Sequence, residues 1–190
     1  MGTHTLVVGG TGMLRRAVLK LAEQSTVLSV IARSGPRLDE LAEQVEMKGG
    51  RLNPICVNYA DSDRLRTSLD AALSEFGAVD LVVSWIHSSA PDAHRVVARC
   101  VDDRAEKPFR WFDLLGSAFA DPSVEVSDRS AEFREFERLQ YRSVVLGFVI
   151  EDSGSRWLTH QEISEGVVRA VENDDYRSVT GQVHPWHRRP

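Results

Sequence analysis

Apolar runs of strand length alternate along this chain with segments whose apolar side chains recur at helical spacing. The runs predict strands over residues 5–8, 27–32, 51–57, 79–86, 110–115, 144–150 and 178–182. Between them, Leu14, Ala17, Val18 and Leu21 share one helix face, as do Leu38, Leu41, Ala42 and Val45. A third helix carries Leu65, Leu69, Leu73 and Phe76 behind Asp61 as N-cap, and a fourth carries Ala93, Val96, Val97, Cys100 and Val101 after Pro91. Thr159-His160-Gln161-Glu162 has the spacing of a capping box and opens a helix presenting Ile163, Val167 and Ala170. The pattern is weakest over residues 118–140, where Asp121-Pro122-Ser123 predicts a turn and Phe133, Phe136 and Leu139 a short helix. Strand-helix alternation of this kind implies an α/β fold: one doubly wound, mostly parallel sheet of about seven strands with helices on both faces. Residues 1–190 read as a single domain.

Composition narrows the partners. The net charge of -5 and the lack of a long basic run argue against nucleic acid or an anionic membrane, and the tail at Arg188-Arg189 is too short to alter that. Cys56 and Cys100 lie far apart in no C-x-x-C pattern, which fits a reduced, cytoplasmic chain. No run approaches the roughly 18 to 20 apolar residues of a membrane span, and the first residues lack a signal-peptide layout. The histidines, His184 and His187 included, lack the cysteine or carboxylate spacing of a metal site, so no metal is expected.

The chemistry concentrates where the first strand breaks into Gly9-Gly10-Thr11-Gly12-Met13-Leu14 and then a helix. A parallel strand that must turn sharply, let backbone amides approach a pyrophosphate and aim a helix N-terminus at its charge needs glycines at this spacing. The second strand ends at Ala32-Arg33-Ser34, with Arg37 just beyond. An acid there would accept hydrogen bonds from a ribose 2'-hydroxyl, whereas a cation and small donors suit a 2'-phosphate. Arg33, Ser34 and Arg37 therefore predict NADP(H), and Arg15 and Arg16 stand either in the phosphate field or as solvated helix arginines.

With these residues the chain resembles the short-chain dehydrogenase/reductase family, in a small atypical branch, over nearly its whole length. Val57-Asn58-Tyr59-Ala60-Asp61 is similar to the family's D-V-x-D at the adenine pocket, with Asn58 in place of the first acid. The resemblance implies that Asn58 and Tyr59, and Ser84 and Trp85 after the fourth strand, contact the cofactor. The family's N-N-A-G is here Ser84-Trp85-Ile86-His87, so the nicotinamide side is rebuilt. The resemblance also places Ser117 at the catalytic serine. The defining Tyr-x-x-x-Lys is absent: the lysines are Lys20, Lys48 and Lys107, and Tyr141 is followed four positions later by Val145 in a segment that reads as strand. Without that lysine the family's proton-transfer chemistry at the tyrosine does not carry over. The chain is also shorter than typical members, the deficit falling where the catalytic helix would lie.

Residues just after strands line the site of a doubly wound sheet, which singles out His87 and Ser117 as proton handlers or as capped strand ends. Tyr141 is the remaining catalytic candidate. Arg156 is a candidate clamp for an anionic substrate group, and Trp157 either a stacking wall with Trp85 or a staple before the Thr159 cap. The expected function is an NADP(H)-dependent, short-chain-dehydrogenase-like oxidoreductase acting on a small carbonyl, imine or enone. Two alternatives stay open: an NADP(H)-binding sensor or interaction protein without turnover, and a non-redox lyase or isomerase. A small-molecule substrate is the expected partner, with self-association left open.

Overall fold

A computed structural model describes residues 2–123 and 129–190. The part of the irregular stretch at 124–128 lies outside the described residues. The first six strands of the main sheet are β1 (His4–Val8), β2 (Val27–Ala32), β3 (Leu52–Cys56), β4 (Leu81–Ser84), β5 (Phe109–Leu115) and β6 (Leu139–Leu146). A hairpin of β7 (Phe148–Glu151) and β8 (Gly154–Trp157) follows, and β9 (Arg177–Thr180) returns to the sheet. The seven-stranded sheet runs β3-β2-β1-β4-β5-β6-β9 with every pairing parallel. Strand order thus reverses between β1 and β4, which opens a crevice at the carboxyl edge.

The helices are α1 (Arg15–Ala22), α2 (Gly35–Glu46), α3 (Ser62–Phe76), α4 (Ala93–Arg104) and α5 (His160–Asn173). Alternate strand residues point to opposite faces, so Leu6 and Val8 pack with α3 and α4 while Val7 packs with α1, α2 and α5. Both faces are covered, which is why the central strands are buried throughout and mostly apolar. Two of the predicted helix starts are visible as bonds: Asp61 accepts from the Arg64 amide at 3.1 Å, and Thr159 and Glu162 cap each other reciprocally.

The expected strands 79–86 and 178–182 are shorter, Leu81–Ser84 and Arg177–Thr180, and the largest difference lies in the sixth. The run over 144–150 is two strands: β6 begins at Leu139, before the apolar run, and ends at Leu146. Gly147 then redirects the chain into the hairpin, where a Cβ would lie 2.1 Å from the Gln182 carbonyl oxygen. The expected helix near Phe133 is a short 3-10 turn, Arg129–Phe133, and Leu139 belongs to β6. The predicted turn is present, with the Asp121 carboxylate accepting from the Ser123 amide and hydroxyl. No described helix is long and apolar enough to cross a membrane.

Candidate functional site

The turn between β1 and α1 uses its glycines for different purposes. Gly9 adopts φ +85°, and a Cβ there would approach the Trp85 carbonyl oxygen to 2.8 Å. Gly10 lets the helix settle on the sheet, since its Cβ would meet Val30 Cγ1 at 2.6 Å. Gly12 faces open space, with nothing within 4 Å of a Cβ. Behind it Leu14 stands at the N-cap of α1 and makes no side-chain capping bond, leaving amides of the first turn for an external acceptor. The Ser164 hydroxyl donates to the Met13 carbonyl at 2.8 Å and ties this turn to α5, while Thr11 is half-buried on it.

Around the ends of β2 and β3, Arg33 and Arg37 are exposed, and neither makes an ion pair among the described residues. Ser34 sits at the N-cap of α2 without a side-chain capping bond. Arg15, by contrast, is engaged by Glu40 at 2.6 Å. Asn58 is exposed, its Oδ1 accepting from the Ala60 amide, and the Tyr59 hydroxyl accepts from the His87 amide at 3.4 Å.

Next to the glycine turn, a cavity of about 450 Å³ lies between the β4 exit, the start of α4 and the β5 exit. Trp85, Ile86, His87, Pro91, His94, Leu115, Phe119, Arg129 and Glu132 form much of its wall. Trp85 joins the two, touching Gly9 on one side and the cavity on the other. A larger cavity, about 600 Å³, lies at the opposite edge of the sheet beside His4, Asp80 and Lys107. The strands of a parallel sheet place ligands at their carboxyl ends, and the glycine turn is at that end, so the smaller of the two is the candidate site.

Beneath its floor lies a polar cluster that no local motif announces. Asp113, fully buried in β5, accepts from Ser84 Oγ at 2.9 Å, His94 Nε2 at 3.1 Å, Tyr141 Oη at 3.2 Å and Arg129 Nε at 3.4 Å. Arg129 continues to Glu132 at 2.9 Å and to His94 Nδ1 at 2.9 Å. Phe133 packs edge-on against His94 and tilted against Tyr141, closing the cluster from the far side. Sequence reasoning missed Asp113, His94 and Arg129; the signals that could have flagged two of them are an acid inside the apolar run Phe112-Asp113-Leu114 and a histidine on the apolar stripe of α4 with Val97 and Val101.

Several expected site residues stand elsewhere. The Ser84 hydroxyl is committed to Asp113 inside the sheet, so it faces the cluster in place of a cofactor. Tyr141 rises from the middle of β6 to Asp113, and burial and this carboxylate push its phenol well above the ordinary range. That is the reverse of the activation a neighbouring ammonium gives. Arg156 is held by Glu151 at 2.6 Å and Glu162 at 2.9 Å, which raises its affinity for its proton and leaves it a structural clamp on the hairpin. Trp157 is exposed at 49%, stacked by Arg189, and neither it nor Arg156 lines the cavity. His87 is exposed at the rim, edge-on to Trp85 with ring centroids 5.5 Å apart, and Ser117 is half-buried at the β5 exit outside the wall. Among the described residues no three His, Cys, Asp or Glu side chains converge to hold a metal ion.

No family model matches the chain. A short-chain dehydrogenase from Pseudocercospora fijiensis is 31% identical over 84 residues, 44% of this chain and 27% of that protein. The oxidoreductase UxuB of Bacillus subtilis is 25% identical over 93 residues, covering 48% of this chain and 34% of its own. The chain therefore aligns with only about a third or less of these curated relatives. A short-chain dehydrogenase/reductase from Serratia marcescens superposes with a TM-score of 0.73 at 16% identity, over 95% of this chain and 98% of that one. A metagenomic short-chain oxidoreductase in complex with NADP gives 0.68 at 14% identity, over 89% and 90% of the two chains. An NADH-dependent reductase complexed with NAD gives 0.70 at 12% identity, over 95% of each. The curated relatives are a short-chain dehydrogenase and an oxidoreductase matched over part of their length, and the superpositions show that this chain has the Rossmann fold of the short-chain dehydrogenase/reductase structures.

Proposed function

We propose that the chain binds NADP(H) across the carboxyl edge of the sheet and reduces a small carbonyl, imine or enone in the cavity beside Trp85. One observation carries this reading: the open approach at Gly12 to an uncapped α1 N-terminus adjoins the cavity through the contact of Gly9 with Trp85. The residues present fit a dinucleotide. First-turn amides of α1 would take the pyrophosphate, Asn58 and Tyr59 beyond β3 would meet the adenine end, and Arg33, Ser34 and Arg37 surround the start of a second uncapped helix.

The bound nicotinamide supplies hydride chemistry, and the chain's residues position the partner and move protons. Trp85, Ile86, Leu115 and Phe119 give the cavity an apolar wall that excludes water from a small substrate. His87 and His94 are the imidazoles on that wall. The relatives' names favour an oxidoreductase, while NADP over NAD rests on Arg33 alone with its neighbours, since one structural neighbour is complexed with each.

One observation favours binding without redox turnover: Tyr141, the tyrosine weighed for a catalytic role, donates its hydroxyl to Asp113. NADPH consumption by the full chain across a panel of small aldehydes, ketones, imines and enones decides between the two. Turnover on any member supports the reductase; tight NADPH binding with no turnover across the panel selects the sensor or non-redox reading.

A further inference from the structure

We propose, resting on the reductase reading, that the cavity selects a cationic nitrogen and that its substrate is an imine in the protonated, iminium form. Hydride transfer to a carbonyl or an enone leaves an oxyanion or enolate that must then be given a proton. An iminium brings its positive charge in with it and leaves as a neutral amine. A wall without a fixed acid and with an excess of negative charge suits the iminium over the other two classes, and this cavity has both features.

The groups that could hand over a proton are already engaged. His94 Nε2 lies 3.1 Å from Asp113, and Arg129 Nη2 lies 2.9 Å from Nδ1 and 3.2 Å from Nε2. Neither nitrogen of this buried ring is open to a ligand, although the ring forms part of the wall. The hydroxyls of Ser84 and Tyr141 donate to Asp113, and Ser117 stands outside the wall. His87 and Ser88 remain, both exposed to water at the rim. Among the described residues no carboxylate orients the His87 ring, which packs edge-on to the Trp85 indole.

The fixed charge points the same way. Among the lining residues Arg129 and Glu132 are the charged ones besides the imidazoles. The Arg129 guanidinium is shared between Glu132 at 2.9 Å, His94 at 2.9 Å and Asp113 at 3.4 Å, so two carboxylates face one guanidinium and the excess is negative. Asp113 is fully buried and contributes its field through the floor, whereas the Glu132 carboxylate is 53% exposed and can meet a ligand. Trp85 and Phe119 add aromatic rings, whose faces attract a cation. In the reaction the iminium carbon gains a hydride from bound NADPH, and the π pair of the C=N bond becomes the nitrogen lone pair. One C–H bond forms, the carbon–nitrogen bond becomes single, the products are a neutral amine and NADP+, and no proton is transferred in the step.

The test uses the full chain and three probes of similar size: 2-methyl-1-pyrroline, its N-methylated iminium salt, and cyclopentanone. The N-methyl salt is reduced with a kcat/KM about 100-fold or more above that of cyclopentanone, the penalty of a carbonyl that finds no fixed acid. The rate with 2-methyl-1-pyrroline falls as pH rises and the ring nitrogen loses its proton, while the rate with the N-methyl salt, which has no proton to lose, does not follow that titration. Glu132→Gln raises KM for the N-methyl salt about threefold relative to that for cyclopentanone. A second readout needs neither turnover nor cofactor: calorimetric titration of the chain with the quaternary cation N,N-dimethylpyrrolidinium and with cyclopentanol. The cation binds more tightly, and Glu132→Gln narrows the gap. A kcat/KM for cyclopentanone equal to or above that for the N-methyl salt, or cyclopentanol bound at least as tightly as the cation, overturns the proposal. No turnover of any probe with the cation still preferred contradicts the reductase reading and upholds the cavity's selection of a cationic nitrogen.

Discussion

The two edges of the sheet each hold a buried histidine beside a serine and near an aspartate, and only one of them adjoins the glycine turn. At the amino edge, His4 Nδ1 lies 3.0 Å from the Gly77 carbonyl and Nε2 lies 2.9 Å from Ser29 Oγ, while Asp80 accepts from the His4 amide and pairs with Lys107. Both ring nitrogens are spent on fixed partners, and the ring cements β1 to β2 and to the α3 exit. At the carboxyl edge, His94 Nε2 lies 3.1 Å from Asp113 and Nδ1 lies 2.9 Å from Arg129 Nη2, while the ring forms part of the cavity wall. The residue types are nearly the same; what differs is that the His4 ring is held by a backbone carbonyl and a serine inside the fold, whereas the His94 ring is held by an aspartate and an arginine on the wall of a cavity next to the glycine turn. The larger cavity at the amino edge has no glycine turn to bring a cofactor to it.

Exchanging the two histidines is the strongest way to break this comparison. His94→Gln disturbs the cavity wall and takes a partner from buried Asp113, lowering kcat at a stability cost of about 1–3 kcal/mol, whereas His4→Leu leaves Ser29 and the Gly77 carbonyl short of a partner and costs about 1–3 kcal/mol with kcat retained. Steady-state kinetics and urea unfolding on each variant check the pair. If His4→Leu lowers kcat as far as His94→Gln does, the distinction between the edges fails.

The glycines sharpen the same division. Gly10→Ala drives a Cβ into Val30 and costs about 1–3 kcal/mol of stability, while Gly12→Ala enters open space and changes stability by at most about 0.5 kcal/mol. Gly12→Ala nevertheless narrows the pyrophosphate approach and weakens NADPH binding about tenfold, measured by calorimetric titration alongside thermal unfolding.

A smaller effect belongs to pH. Burial lowers the His4 pKa, so the folded state prefers the neutral ring. The stability this contributes is present above the ordinary histidine range, near 6.5, and is lost as pH falls below it. His4→Leu removes that limb of the stability curve. On α5, Arg156 and the Thr159 amide hold the Glu162 carboxyl down to about 2. Its contribution is present above about 4.5 and is lost as pH falls toward 2. Glu162→Gln keeps part of the capping box, so the expected loss at neutral pH is about 1 kcal/mol or less.

Much of the fold was legible because local signals agreed with one another. The glycine turn, the Asp61 cap and the Thr159–Glu162 box each lie within a few residues, and the helix stripes match the buried faces of α1 to α5. The β6–β7 break was hidden because Val144-Val145-Leu146-Gly147-Phe148-Val149-Ile150 is continuously apolar, and the need for Gly147 comes from Gln182, far along the chain. The cluster under the cavity was hidden for a related reason. Ser84, His94, Asp113, Arg129 and Tyr141 come from five separate elements, and no spacing in sequence encodes their meeting. Arg156 misled in the other direction: an arginine on a polar loop looks free until Glu151 and Glu162 are seen to hold it.

Binding of NADPH and NADH to the wild type and to Arg33→Asp, measured side by side by calorimetric titration, tests the central claim most directly. The account predicts that the wild type favours NADPH by about tenfold or more and that Arg33→Asp abolishes or reverses the preference by removing a cation from the 2'-phosphate and adding a like charge. Equal affinity for the two cofactors in the wild type, or a preference untouched by Arg33→Asp, contradicts it.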